Sequence, residues 1–305
     1  MQTTCTFPQP IFIAEAHEIA GTYETELFII ETFLQKGNTN LILECGHAEA
    51  AILNEYLKTG EEGILYYTRA RGAGYLEFMR SIRTLYPNNP AIHIQGIDFE
   101  RTACLHFLFQ RWFSGIHNTE IDAVIQQLTA INENTNAKQV KKIFLDISSN
   151  YANYESTFDS LLHENASIFK QIIFNPVFLS DFTFSSKKRD FYILENIKQI
   201  PTQTLNSSVF IIGSNHFTNT KLFWHKYISG PDKITQGTLF MMAYENCGLL
   251  YGNKTFTSEK LLLNLLPVNA DSNSVVRFTV AQSEQIPVLN DNGKFILVGL
   301  YNQDN

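Results

Sequence analysis

The chain has 305 residues, of which 44% are apolar and 17% are charged, and its formal net charge is -7. This composition is typical of a soluble globular protein with a large core. The acidic balance and the shortness of the densest basic run, residues 187–189, argue against nucleic-acid binding. No apolar stretch approaches the roughly 20 residues of a membrane-spanning helix, so no transmembrane segment is predicted.

The N-terminal residues and the cysteines bear on the cellular compartment in which the protein is expected. The first five residues carry neither the basic cluster nor the apolar run of a secretory signal peptide. We therefore expect a cytoplasmic protein, and export stays open if a leader has been removed. The cysteines at positions 5, 45, 104 and 247 are widely spaced, so the sequence predicts neither a disulfide framework nor a paired-cysteine metal site.

The first hundred residues alternate between short apolar runs and segments with helical periodicity. The patterns predict strands at 11–14, 41–43 and 91–97, and helices at 24–36, 49–57 and 75–85. This alternation is typical of an α/β protein whose mainly parallel sheet is flanked by helices in three layers.

The predicted secondary structure changes twice in the rest of the chain. Residues 100–170 place apolar side chains at helical spacing without a convincing strand, which predicts a helical insertion or lid. A strand returns at 208–212, and further strands are predicted at 239–244, 275–280 and 295–298. We expect one α/β domain over residues 1–305, with the helical insertion inside it and a β-rich C-terminal portion at 237–305.

Ionisable side chains follow four of the predicted strands. Glu15 and His17 end the first, Glu44 ends the second, Asp98 ends the third, and His216 follows the later strand. The carboxyl ends of strands line the ligand crevice of an open α/β sheet. Glu15 and His17 are two residues apart, so in an extended chain they point to the same face.

Glu15, His17, Glu44 and His216 are therefore the predicted catalytic residues. Carboxylates and imidazoles can carry out general acid–base chemistry without a metal. The same four residues are also candidate ligands of a divalent metal with mixed nitrogen and oxygen preference. The pattern leaves both alternatives open.

Three other residues are candidates for supporting roles. Asp98 ends its strand as the other acids do, His47 either faces the site or begins the next helix, and Arg71 is a candidate anchor for an acid or an oxyanion. The motifs of serine hydrolases, nucleotide-binding loops and His-Glu-x-x-His metalloproteases are absent from the sequence. A serine triad is therefore disfavoured.

Residues 44–60 resemble the erythromycin esterase family, in which an acid ends the second strand and Asn-x-Tyr followed by Gly lies in the next helix. Asn54, Tyr56 and Gly60 stand at the matching positions. Segments 93–98 and 213–216 resemble the family's Gly-x-Asp strand and its later Asn/His strand end.

The first motif departs from the family pattern. Ala14 stands where the family has Gly, and Glu15 and His17 are separated by two positions rather than three. Gly46 stands where the family has Asp after the second acid. The Glu-x-His spacing is closer to that of the wider EreA/ChaN-like superfamily, which includes haem-binding and protease-like members.

The resemblance implies hydrolysis of a small ester or lactone by water, without a covalent serine intermediate and without an expected cofactor. His17 would be the general base, Glu15 and Glu44 would orient it and stabilise its charge, and His216 would polarise the carbonyl or protonate the leaving alkoxide. The alternatives are a protein that binds haem or another ligand, a metal-dependent hydrolase or protease, and an inactive member.

Overall fold

The structure is a computed structural model that describes residues 10–15, 20–35, 37–181, 187–213, 216, 238–244, 248–251, 254–257 and 294–300. The strands in these ranges are β1 (Ile11–Glu15), β2 (Asn40–Leu43), β3 (His93–Gly96), β4 (Ser208–Gly213), β5 (Thr238–Tyr244), β6 (Gly248–Tyr251), β7 (Lys254–Thr257) and β8 (Lys294–Leu300). The α-helices are α1 (Ala20–Leu34), α2 (His47–Thr59), α3 (Ala73–Leu85), α4 (Thr102–Phe113), α5 (Asp122–Thr129), α6 (Ala137–Asn150), α7 (Glu155–Leu162), α8 (Ala166–Ile173), α9 (Lys187–Lys198) and α10 (Thr202–Asn206).

The main sheet has the strand order β3-β2-β4-β1-β5-β8. β1 pairs in parallel with β4 on one side and with β5 on the other, and β5 pairs in parallel with β8. β6 and β7 form a separate antiparallel pair. These pairings confirm the predicted α/β class with a parallel sheet.

The paired strands β1 and β4 are apolar along their length because parallel strands are covered on both faces. Ile11, Ile13 and Val209 are fully buried, and the rings of Phe12 and Phe210 stack with centroids 4.4 Å apart.

Contacts divide the chain into two compact units. The first contains residues 1–42, 80–93 and 198–305, and the second contains 43–79 and 94–197. β1, β4, β5 and β8 belong to the first unit, whereas α2 and α4–α8 belong to the second.

The second unit contains residues 100–170, which form helices without any strand. That this segment is an insertion or lid stays a prediction. The core of the second unit is aromatic: the buried ring of Phe169 meets those of Phe109 and Phe113 edge to face, with centroids 6.2 and 5.6 Å apart, and the Phe109 and Phe113 rings are tilted with centroids 6.3 Å apart. Burial of these large rings contributes much of the hydrophobic stabilisation of the unit.

Most predicted elements differ from the observed ones only at their ends. The first helix begins at Ala20 rather than at residue 24, and the second ends at Thr59 because Gly60 adopts a left-handed conformation and donates its N–H to the Tyr56 carbonyl. The strand predicted at 275–280 lies outside the described residues. None of the described helices is long and apolar enough to cross a membrane.

Candidate functional site

Two of the predicted acids, both in the second unit, follow neighbouring strands of the sheet. Glu44 directly follows β2 and Asp98 follows β3, and both side chains are buried. The carbonyl of Cys45 accepts hydrogen bonds from the N–H groups of Ile97 and Asp98, both at 2.8 Å. The backbone therefore fixes the two strand ends against each other.

Arg189, at the start of α9, joins the two carboxylates. Its Nη2 donates to Glu44 Oε1 at 2.6 Å and to Asp98 Oδ2, while its Nε donates to Asp98 Oδ1 at 3.1 Å. Burial lowers the pKa of Arg189, but the hydrogen bonds and charges of Asp98 and Glu44 outweigh burial and raise that pKa overall. The guanidinium is thus a permanent positive charge between two buried acids.

Two asparagines hold the chain that follows β3. Asn175 Nδ2 donates to the Asp98 carbonyl at 2.8 Å and to Glu100 Oε1 at 2.7 Å. Asn196 Nδ2 donates to the Ile97 carbonyl and to Asn175 Oδ1, each at 3.0 Å. Their amides satisfy backbone carbonyls that would otherwise be buried without a partner, so they fix the position of Asp98.

His47 is the first residue of α2, and its side chain is buried. Burial lowers the pKa of His47 to about 4, against a hydrogen bond with Asn196 that raises it. The imidazole is therefore neutral at pH 7. Within the described residues its Nδ1 has no hydrogen-bond partner.

Glu100 closes the amino end of α2. The backbone N–H groups of His47 and Ala48 donate to its two carboxylate oxygens, each at 2.9 Å. A Cβ at Gly46 would lie 2.7 Å from the Phe99 carbonyl and closer still to the Glu100 carboxylate. Gly46 stands where the erythromycin esterase family has Asp. Because it has no side chain, it leaves the space that the Glu100 carboxylate occupies.

The Glu100 carboxyl group should make stability depend on pH. Burial raises the pKa of Glu100 to about 7, against hydrogen bonds from Ala48, Asn175 and His47 that lower it. A carboxyl group whose pKa is raised in the folded state contributes stability below its unfolded pKa, and that stability is lost as the pH rises to the folded pKa. We expect a loss of about 2 kcal/mol between pH 4.5 and pH 8, less than the full shift of the pKa implies because Glu100 is only half-buried.

This loss can be isolated by urea unfolding of the wild type and of Glu100→Gln at both pH values. The difference between the two proteins removes the opposite contribution of His47, whose lowered pKa costs stability as the pH falls. If the wild type and Glu100→Gln have parallel pH profiles, Glu100 does not titrate in this range.

The structure describes only some of the other predicted site residues. In the first unit, Glu15 ends β1 opposite Gly213, the last residue of β4, and both Glu15 and His216 are buried. His17 lies outside the described residues. Arg71 ends a 3-10 helix over Glu62–Arg71, and its side chain is also outside the described part.

The structure thus brings Glu44 and Asp98 together through Arg189 and connects His47 to the same region through Asn196. Their catalytic roles remain predictions. Sequence reasoning missed Arg189, although it lies in the densest basic run of the chain. Two acids predicted at neighbouring strand ends favour a cation between them, and that preference is the signal that could have found Arg189.

No group of three or more His, Cys, Asp or Glu side chains among the described residues is placed to hold a metal ion. Cys45 and Cys104 are buried and form no disulfide within the described part of the chain, and burial raises the pKa of the Cys104 thiol. The Cys104 thiol therefore lacks the thiolate character of a nucleophile or a metal ligand.

Comparisons with known proteins show that the chain shares its fold with solved structures. A mutant of erythromycin esterase EreC in its open conformation matches with a TM-score of 0.54 and 11% identity, covering 96% of this chain and 90% of that chain. A crystal structure of a Bacillus cereus protein matches with a TM-score of 0.50 and 17% identity, covering 87% and 72%. The chain shares its fold with these proteins. No family model and no curated protein matches it.

Proposed function

We propose that this chain hydrolyses a small ester or lactone with water activated by His17. Glu15 orients and charge-stabilises the base, and His216 polarises the carbonyl or protonates the leaving alkoxide. The observation that carries the proposal is the burial of the acids at the strand ends: Glu15 is 5% exposed, Glu44 7% and Asp98 2%. Acids at the frayed ends of strands would instead be solvated, and a buried carboxylate costs free energy unless it is paired or hydrogen-bonded. Buried ionisable groups that are held in this way occur preferentially at functional sites.

The contacts of Arg189 refine the role of Glu44. One oxygen of Glu44 is bound to a permanent cation, so we assign this residue a negative charge in the second unit rather than proton abstraction. Asp98 binds the same guanidinium through both oxygens, which makes it the residue that positions Arg189. An esterase with the same fold adds support by analogy alone.

The test is hydrolysis of a panel of esters and lactones, with and without chelator. We expect chelator-insensitive turnover that His17→Ala lowers by about 10²–10⁴, the usual contribution of a general base. The matched control is His117→Ala, because His117 is an exposed histidine in a loop. Circular dichroism and thermal unfolding should show that both variants remain folded.

Two results would contradict the proposal. The first is full turnover in folded His17→Ala, which would remove the assigned base. The second is turnover that chelator abolishes, which would establish metal-dependent hydrolysis instead. Glu15→Gln provides a second test of the proposal. The substitution keeps the shape of the side chain and removes its charge, so it should lower kcat more than it raises KM.

A further inference from the structure

A cavity of about 300 Å³ lies in the second unit, outside the residues proposed for hydrolysis. Glu100, Arg101 and Asn175 are among its polar lining residues. Aromatic and aliphatic side chains form the remaining walls, among them Tyr67, Phe99, Val140, Phe144, Phe178 and Leu179. This volume is at the small end of the range for ligand sites, which fits a molecule of about a dozen non-hydrogen atoms.

Among the described residues around the cavity, the charged side chains pair with an opposite charge, with one exception. Arg101 forms a salt bridge with buried Glu49 at 3.2 Å, and Lys141, whose Nζ lies over the Phe178 ring, is held by Asp181 at 2.6 Å. The carboxylate of Glu100 receives only neutral amide donors, from the backbone of α2 and from Asn175. Within the described part of the chain no cation pairs with it.

We propose that this cavity binds a small primary amine with an apolar body, whose ammonium group pairs with Glu100. A carboxylate in such a place is stabilised by an opposite charge. The aromatic walls attract a cation through their ring faces and bury an apolar chain or ring. A carboxylic acid would face repulsion from Glu100, and Arg101 cannot offset that repulsion fully because it is already bound to Glu49.

Binding should be coupled to a proton. Burial raises the pKa of Glu100 to about 7, so half of the unliganded protein carries a proton there at neutral pH. The ammonium group favours the ionised carboxylate and expels that proton. Affinity should therefore fall by up to tenfold per pH unit below pH 7, while the ligand itself stays charged.

The experiment is isothermal titration calorimetry of the full chain with 2-phenylethylamine and 3-methylbutylamine. The matched probes are 2-phenylethanol, which is neutral, and 3-phenylpropionate, which is negative. We expect at least one amine to bind with a Kd of about 1 mM or tighter, and both matched probes to bind at least about tenfold more weakly. Titrations at pH 7 in buffers of different ionisation enthalpy should show release of about half a proton.

Two variants keep the test independent of folding defects. Glu100→Gln should remove the preference for amines, but it also disturbs the start of α2. Ala137→Phe fills the half-buried cavity rim and leaves Glu100 and its hydrogen bonds intact, so it should weaken amine binding at least about tenfold. Ala152→Phe adds the same ring at an exposed position and is the control.

Several outcomes would overturn the proposal. They are the absence of saturable binding by either amine, equal binding of 2-phenylethylamine and 2-phenylethanol, and unchanged binding by Ala137→Phe. None of these outcomes bears on ester hydrolysis, because the cavity contains none of the residues assigned to it.

Discussion

Arg189→Met should lower the free energy of unfolding by about 3–5 kcal/mol, the usual cost of leaving a buried charge without its partner. The substitution keeps much of the apolar volume of the side chain and removes three hydrogen bonds. It leaves Glu44 and Asp98, both buried, as two like charges without the cation that bridges them. Urea unfolding at pH 7.5 measures the effect.

A neighbouring lysine offers the matched control. Lys188 is exposed and precedes Arg189 in α9, so Lys188→Met should change stability by no more than about 0.5 kcal/mol. Adding Glu44→Gln and Asp98→Asn to Arg189→Met should recover most of the loss, because the uncompensated charges are then gone. A loss below about 1 kcal/mol in Arg189→Met would mean that the guanidinium does not neutralise these acids.

The sequence predicted the strand ends well because an apolar run that stops at a charged residue is a local signal. Glu44 and Asp98 each follow such a run, and both lie where the pattern placed them. The partner of these acids depends on tertiary structure. Arg189 is 91 residues from Asp98 and 145 from Glu44 along the chain, and no local pattern encodes a contact over that distance.

Glu100 and the asparagines illustrate a second limit. A glutamate that follows Phe99 at the end of a strand is typical of a solvated loop, and nothing local predicts that it accepts hydrogen bonds from the start of α2. Asn175 and Asn196 are likewise indistinguishable from loop and surface asparagines by pattern. Their roles depend on the approach of segments that are far apart in sequence.

Gly96→Ala should destabilise the protein by about 3 kcal/mol. A Cβ at Gly96 would lie 2.6 Å from the Cys45 carbonyl oxygen and closer still to the Gly46 carbonyl. These obstacles are backbone atoms, so no side-chain rotation can make room. The Cys45 carbonyl is further held by the N–H groups of Ile97 and Asp98, so the chain must shift to admit the methyl group, at a cost typical of overpacking.

Gly63→Ala is the matched control, since a Cβ at Gly63 would meet no atom within 4 Å and its backbone is not left-handed. That substitution should be neutral or stabilise by up to about 1 kcal/mol, because alanine has fewer unfolded conformations than glycine. Urea unfolding of the two variants compares them directly. The same backbone shift would move Asp98 relative to Arg189, so Gly96→Ala should lower ester turnover as well. Equal stability of the two variants would show that the ends of β2 and β3 are not in such close contact.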